Sequence, residues 1–305
     1  MSDATPPSGG LRFVVEPEEF LALAGAHLGA DPVVGTIVTS VAHRVIAQRE
    51  AGTLVLPEPA WWLVVADDDG GVVGVAMRTA PFEPHPPYLL PMPGPAAVEL
   101  ARVLHGRGEE VLAVNGALPA TRLFADEVVR LRGGRVEVAI HTRLFELGTL
   151  VPPSPVPGAL RSARAADVDL VRDWWARFQD DSDAQGGRAP GTSAHDVPSE
   201  EEMRRRVEGG EVWLWDDDSG RPVSLVCATP PAFGVSRVGP VYTPPPERGR
   251  GWASNAVAEV SGRILGSGVR ACLFTDQANP ISNGIYLALG YRPVVDMANL
   301  VIHRG

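Results

Sequence analysis

The sequence predicts a mixed α+β fold built twice, as two tandem domains that each carry a mixed, mostly antiparallel sheet flanked by helices. Three observations carry this reading. The chain has 305 residues, more than the 100–200 or so that one domain usually holds. A proline-rich stretch, Val151-Pro-Pro-Ser-Pro-Val-Pro-Gly158, falls near the midpoint. Its prolines lack amide donors and favour extended geometry, as a stiff linker would. A pattern of tryptophan, apolar run and Asp triplet recurs on both sides of that stretch. The expected boundaries are a first domain over 1–150, a linker over 151–158 and a second domain over 159–305.

The repeat is specific enough to align. Trp62-Leu-Val-Val-Ala-Asp-Asp-Asp-Gly70 and Trp213-Leu-Trp-Asp-Asp-Asp-Ser-Gly220 both read as a strand entering an acidic turn, with the triplets 149 positions apart. After a one-residue shift the match continues, Val73–Thr79 against Val223–Thr229, each an apolar strand running into proline. Asp-rich turns between strands are common, so chance resemblance of two hairpins is the competing explanation. The shared order of features across a linker favours duplication of a whole domain.

In the second half the periodicity predicts a strand at Ala159–Arg164 and a helix over Ala166–Phe178 with Val168, Val171, Trp174 and Trp175 on one face. An Asp- and Gly-rich loop runs to Val197, and Ser199-Glu-Glu-Glu202 then opens a helix as a capping box. Strands follow at Val212–Trp215, Val223–Ala228 and Val235–Tyr242. A helix over Gly251–Leu265 stops at Gly266-Ser-Gly268. Strand Ala271–Thr275, a short helix over Ser282–Leu289, and strands near Tyr291–Val295 and Asn299–His303 complete the order.

Composition narrows the chemistry. The formal net charge is -10, and all 27 basic residues are arginine. A chain without lysine forms no Schiff base through its side chains and has no Walker-type phosphate loop, which needs one. The acidic balance argues against a nucleic-acid binder held by phosphate neutralisation. Met1-Ser2-Asp3 does not begin a secretory signal, and no apolar run reaches the ~18–20 residues of a membrane span. Cys227 and Cys272 lack any paired spacing, and the seven histidines include no HExxH, so no metal site is indicated. A cytoplasmic protein without membrane association is expected, as monomer or homodimer.

One segment stands out for its chemistry. Pro244-Pro-Pro-Glu-Arg-Gly-Arg-Gly-Trp-Ala253 separates a predicted strand from a predicted helix. Free amides at a helix N-terminus, aided by the helix dipole, make an anion site. Gly249 and Gly251 let an oxygen-rich group approach the backbone, while Arg248 and Arg250 add charge in a fork that suits phosphate. The bland alternative is a surface turn with two solvated arginines. A second motif follows the next strand: Asn279-Pro-Ile-Ser-Asn-Gly-Ile-Tyr-Leu-Ala-Leu-Gly-Tyr291.

At this point the chain resembles the GNAT acetyltransferase superfamily over about Leu160–Ile302. Arg248, Gly251 and Ala253 match the superfamily's phosphate loop, and Asn279, Pro280, Ser282, Asn283, Tyr286, Gly290 and Tyr291 match its later helix. The resemblance implies acetyl-CoA as cofactor, with its pantetheine arm on the backbone of Val241, Tyr242 and Thr243. It also implies a pyrophosphate resting on amides from Gly249 through Arg250, Gly251, Trp252 and Ala253 to Ser254. Asn279 and Asn283 would contact the arm, and Tyr286 would be the catalytic acid at the leaving sulfur; the same spacing also suits a core tyrosine. Many relatives carry a basic Glu on the fourth strand, whereas Phe233–Tyr242 has no carboxylate.

The implied activity is direct acetyl transfer to a primary amine of a small molecule or peptide. Alternatives are a mycothiol-synthase-like acyltransferase on an amino-sugar conjugate, or a CoA-binding sensor without turnover. Asp180, Asp181, Asp183, Asp196, Glu200, Glu201 and Glu202 fall where the superfamily builds its acceptor pocket. They read either as an electronegative mouth for a cationic amine or as ordinary solvated helix ends. In the first half the matching place, Leu89-Leu-Pro-Met-Pro-Gly-Pro-Ala-Ala97, has no arginine and three prolines that remove amides. That half reads as a degenerate copy without cofactor.

Overall fold

The computed structural model describes residues 10–185, 187–188 and 197–305; Met1-Ser2-Asp3, read above for a leader, and Asp196 lie outside them. In chain order the elements are β1 (Gly10–Val14), α1 (Pro17–Ala30), α2 (Thr36–Glu50), β2 (Trp61–Ala66), β3 (Val72–Arg78), β4 (Tyr88–Leu89), α3 (Gly94–Gly106), β5 (Ala113–Ala117), α4 (Ala120–Arg132) and β6 (Arg135–Leu147). The same succession then repeats: β7 (Ala159–Ser162), α5 (Val168–Gln185), α6 (Glu200–Glu208), β8 (Val212–Asp216), β9 (Pro222–Ala228), β10 (Val235–Tyr242), α7 (Trp252–Gly266), β11 (Arg270–Asp276), α8 (Pro280–Ala288) and β12 (Tyr291–His303). Two strands were expected after Tyr291; one strand of 13 residues is found.

Contacts divide the chain into Met1–Thr142 with Val295–Gly305, and Arg143–Val294. This division differs from one drawn at the prolines. The C-terminal residues belong to the first unit because Met297–Val301 pairs antiparallel with Ala113–Ala117 of β5. The proline-rich stretch is packed within the second unit. Pro157 O accepts from Trp215 Nε1 at 3.0 Å, and Ser154 O accepts from Asn255 Nδ2 at 3.0 Å. Prolines leave carbonyls free to be bonded, so a proline-rich segment can be a fixed strap as readily as a spacer.

The first unit orders its strands β1-β2-β3-β4-β5 over a core of Trp61, Leu63, Leu89, Leu100 and Phe124. The second orders them β7-β8-β9-β10-β11, with a core on each face of the sheet. Alternation along β9 assigns the faces: Leu225 and Cys227 pack with Val171, Trp174 and Met203 from α5 and α6, while Val226 and Ala228 pack with Trp252, Val257 and Val260 from α7. Ser199 caps α6 by accepting from Glu202 N at 3.1 Å, as its sequence predicts.

The repeat is a structural one; its register agrees with the alignment of Val73–Thr79 on Val223–Thr229 and moves the preceding Trp-to-Asp stretch by one residue. Val65↔Gly74, Val64↔Val75, Leu63↔Ala76 and Trp62↔Met77 in one hairpin match Trp215↔Ser224, Leu214↔Leu225, Trp213↔Val226 and Val212↔Cys227 in the other, all 150 positions apart. Trp62 therefore corresponds to Val212, and the eye-catching tryptophans are not equivalent. The turns correspond too. Asp67 Oδ1 accepts from the amides of Asp69 and Gly71, and Asp217 Oδ1 accepts from those of Ser219 and Arg221. Gly70 and Gly220 both hold positive φ, 81° and 78°.

Hydrogen bonds from the Ser219 hydroxyl and the Arg221 amide hold the Asp217 carboxyl at about 2, below its ordinary 3.8. A depressed carboxylate stabilises the fold above its unfolded pKa, and the contribution is lost as pH falls through about 2. Asp217→Ala should therefore lower the melting temperature at pH 7 and have little effect near pH 2. Equal losses at both pH values would show that the carboxylate charge does not hold the turn.

Candidate active site

The second unit owes its site to a break in hydrogen bonding. Pro240 interrupts β10, and the pairing of β10 with β9 shifts between Val238 and Val241. On the opposite edge the parallel ladder with β11 covers only Val235↔Arg270, Ser236↔Ala271 and Arg237↔Cys272. Both strands continue past it, to Tyr242 and to Asp276. The facing edges beyond Arg237 and Cys272 carry no ladder pair, so their peptide groups can bond an extended amide-bearing chain.

The cradle lies just past the end of β10. A short 3₁₀ turn, Pro245–Glu247, leads into Gly249 at φ 76° and Gly251 at φ 81°, and Gly251 stands at the N-cap of α7. A Cβ at Gly251 would sit 2.9 Å from Val156 Cγ1, so the position excludes side chains on two counts. The amides of Gly249 through Ser254 have no backbone acceptor among the described residues, and no acid occupies the first turn of α7. Trp252 packs its ring into the α7-side core, where Nε1 is a buried donor without a partner among the described residues. The free backbone amides at this helix N-terminus fit an anion such as pyrophosphate.

Across the opening, α8 starts at Asn279, whose Oδ1 accepts from Ser282 N at 3.1 Å. Asn283 Nδ2 donates to the carbonyls of Asp276 and Asn279 at 2.9 and 2.7 Å, fastening the helix to the end of β11. Tyr286 is half-buried against Tyr291, ring centroids 5.9 Å apart. Its hydroxyl makes no hydrogen bond to a described residue. Burial pushes the phenol up to about 12.

Solved structures carry the same architecture over the whole chain. A GCN5-related N-acetyltransferase from Sphaerobacter thermophilus matches with a TM-score of 0.60 at 19% identity, covering 99% of this chain and 98% of that one. A tandem GNAT protein from the clavulanic acid biosynthesis pathway matches with a TM-score of 0.52 at 13% identity, covering 96% and 98%. A glucosamine N-acetyltransferase region of a fungal multi-domain β-N-acetylglucosaminidase matches at 0.52 and 12%, covering 97% and 38%. The chain has the tandem GNAT fold. No family model and no curated protein matches the sequence.

The two GNAT units differ where the site is built. In the first, β4 pairs with β5 in parallel right up to its end, Leu89↔Gly116. Gly116 there holds φ 137°, which would aim a Cβ straight at the neighbouring strand, 2.0 Å from Leu89 O, so only glycine fits beside the closed ladder. Through the hairpin register Leu89 corresponds to Val241, which has left the β11 ladder. Helix α3 is capped by Pro93 with Pro95 in its first turn, where α7 has Gly251 and free amides. A mostly apolar cavity of about 360 Å³ lies nearby, lined by residues including Leu28, Met92 and Pro93.

Side chains in the second GNAT unit depart from the sequence reading in several places. Arg248 is engaged within the protein: Nε donates to Thr243 O at 2.9 Å and an Nη to Asp181 Oδ2 at 2.6 Å. Arg250 lies 3.1 Å from Glu247. Tyr242 points its ring into the α5–α6 core and donates from its hydroxyl to Asp181 Oδ2 at 3.0 Å. The acids do not form a uniform open mouth. Asp183 is fully buried beside Arg188, while Glu200 and Glu202 pair with Arg204 and Arg206 one turn on. Helix α5 extends past Phe178 to Gln185, and that added length lets Asp181 and Gln185 reach the site. No local pattern marked these contacts, since each joins residues more than 60 positions apart. Cys227 is buried with its thiol pushed up to about 12, which suits packing and not nucleophilic attack.

A spectrophotometric titration checks the environment of Tyr286. The phenol step lost in Tyr286→Phe should centre well above pH 10, near 12; a step at 10 would mean the ring is hydrated.

Proposed function

We propose that the protein is an acetyl-CoA-dependent N-acetyltransferase that passes acetyl directly to a primary amine of a small molecule or peptide. The observation that carries this reading is the stopped β10–β11 ladder beside an amide cradle. An extended amide arm and a diphosphate are the two chemical features of CoA, and the second unit offers a complement for each. The backbone of Val241 and Tyr242 would bond the arm, along with Thr243, whose carbonyl Arg248 already shares. Amides from Gly249 to Ser254 would hold the phosphates, and Asn279 and Asn283 border the arm. Bound there, acetyl-CoA supplies an activated thioester.

Tyr286 is the candidate catalytic residue. With its phenol near 12 it stays protonated throughout the physiological range. It is then a weaker acid than a thiol of about 8.5, so in place of the full proton transfer expected of a catalytic acid Oη gives the departing sulfur a hydrogen bond, and the thiolate ends with the proton that the attacking nitrogen sheds. An acceptor that arrives as an ammonium must lose a proton before its nitrogen attacks, and β10 has no carboxylate to take it. That observation favours the second reading, a CoA-binding sensor without turnover. The glucosamine-directed neighbour lends weight to an amino-sugar acceptor, the variant reading within acyl transfer. The closed β4–β5 pair and proline-capped α3 support a first unit without a cofactor site.

Release of free thiol from acetyl-CoA, measured over a broad panel of amines including amino sugars, tests the proposal. Tight acetyl-CoA binding with no release on any amine would select the sensor. Tyr286→Phe should lower kcat by about tenfold or more with little change in acetyl-CoA affinity; an unchanged kcat would remove it from catalysis. Gly251→Glu should abolish acetyl-CoA binding, and a melting curve of the variant separates loss of the cradle from loss of the fold.

A further inference from the structure

The last two turns of α5 touch the residues that CoA would use. Asp181 Oδ2 accepts from Arg248 at 2.6 Å and from the Tyr242 hydroxyl at 3.0 Å. Gln185 Oε1 accepts from Asn279 Nδ2 at 2.7 Å. Just past the helix, Arg188 pairs with Asp276 at 2.5 Å. These partners belong to the strand end, the phosphate loop, the end of β11 and the cap of α8, four separate elements around one opening.

We propose that Asp181 is an internal counter-anion for Arg248, an acid that occupies the phosphate arginine until CoA displaces it. The inference rests on the acetyl-CoA reading above. Arg248 has five N–H donors, but one charge. A carboxylate at 2.6 Å neutralises most of that charge as a phosphate would see it, and the carboxylate itself repels an incoming anion. Asp181 suits this role better than Glu247, which is buried and held by both Arg221 and Arg250. Asp181 is partly exposed and pairs with a single arginine. Once a phosphate takes Arg248, Asp181 keeps the Tyr242 hydroxyl, so the carboxylate is not stranded. The arrangement tunes CoA affinity downward and ties cofactor arrival to the end of α5.

Calorimetric titration of the full chain with acetyl-CoA tests the assignment. Asp181→Asn keeps the shape and the hydrogen-bond acceptor but removes the charge. It should tighten acetyl-CoA binding by about two- to fivefold, the range expected for a partly exposed pair. Asp181→Ser should do the same, which guards against one variant failing to fold. In an Arg248→Gln background the same substitutions should have no effect on affinity. Weaker or unchanged binding in both Asp181 variants would overturn the proposal and leave Asp181 as an orienting group for Arg248. An equal gain without Arg248 would also overturn it, reducing the effect to the general field. Absence of acetyl-CoA binding by the wild type would instead overturn the functional reading on which this one stands.

Discussion

The stopped ladder between β10 and β11 is the constraint on which the second unit's chemistry depends. A parallel pair bonded along its length has no free peptide groups to offer. Here pairing ends at Arg237 and Cys272 while both strands run on. Pro240 lacks an amide hydrogen, and the shifted register against β9 turns the end of β10 away from a regular ladder. Unpaired backbone is costly when buried, so the protein tolerates it where a ligand can repay the lost bonds. The two packed faces of the sheet, α7 on one and α5 with α6 on the other, hold the strands in place around that break.

The first unit is the internal control for this argument. It has the same hairpin ladder, the same Asp-centred turn and the same succession of elements. Its β4 and β5 stay paired to the end, with Gly116 against the Leu89 carbonyl. Proline residues stand where the second unit presents amides. One fold thus occurs in two forms, open and closed, and the difference lies in a few residues at one strand end. The shared part builds the fold; the proposed cofactor site draws on the part that differs.

Electrostatics in the second unit is local and internally balanced. Several of the acids near the opening are paired with arginines. Asp181, Asp183 and Glu247 each face an arginine, so an anion in the proposed cradle would be held chiefly by oriented amides and the α7 dipole. Backbone dipoles are fixed by the fold and need no counter-ion, so a net charge of -10 does not conflict with the proposed anion site.

The sequence by itself determined most elements of the second half and their order, the split of the last strand excepted. β10 spans Val235–Tyr242 as its apolar run predicts, α6 begins at the Ser199 cap, and α7 starts one residue after the predicted position. Those features are local, set by periodicity, capping and turn chemistry within a few residues. The glycines of the cradle were legible for the same reason: Gly251 must be glycine for its own backbone angle. Tertiary structure decided what local pattern cannot encode. The assignment of Val295–Gly305 to the first unit and the docking of the prolines both follow from pairing across distance. The partner of Arg248 was likewise invisible in a list of acids, because a salt bridge between residues 181 and 248 exists only once α5 is laid against the end of β10.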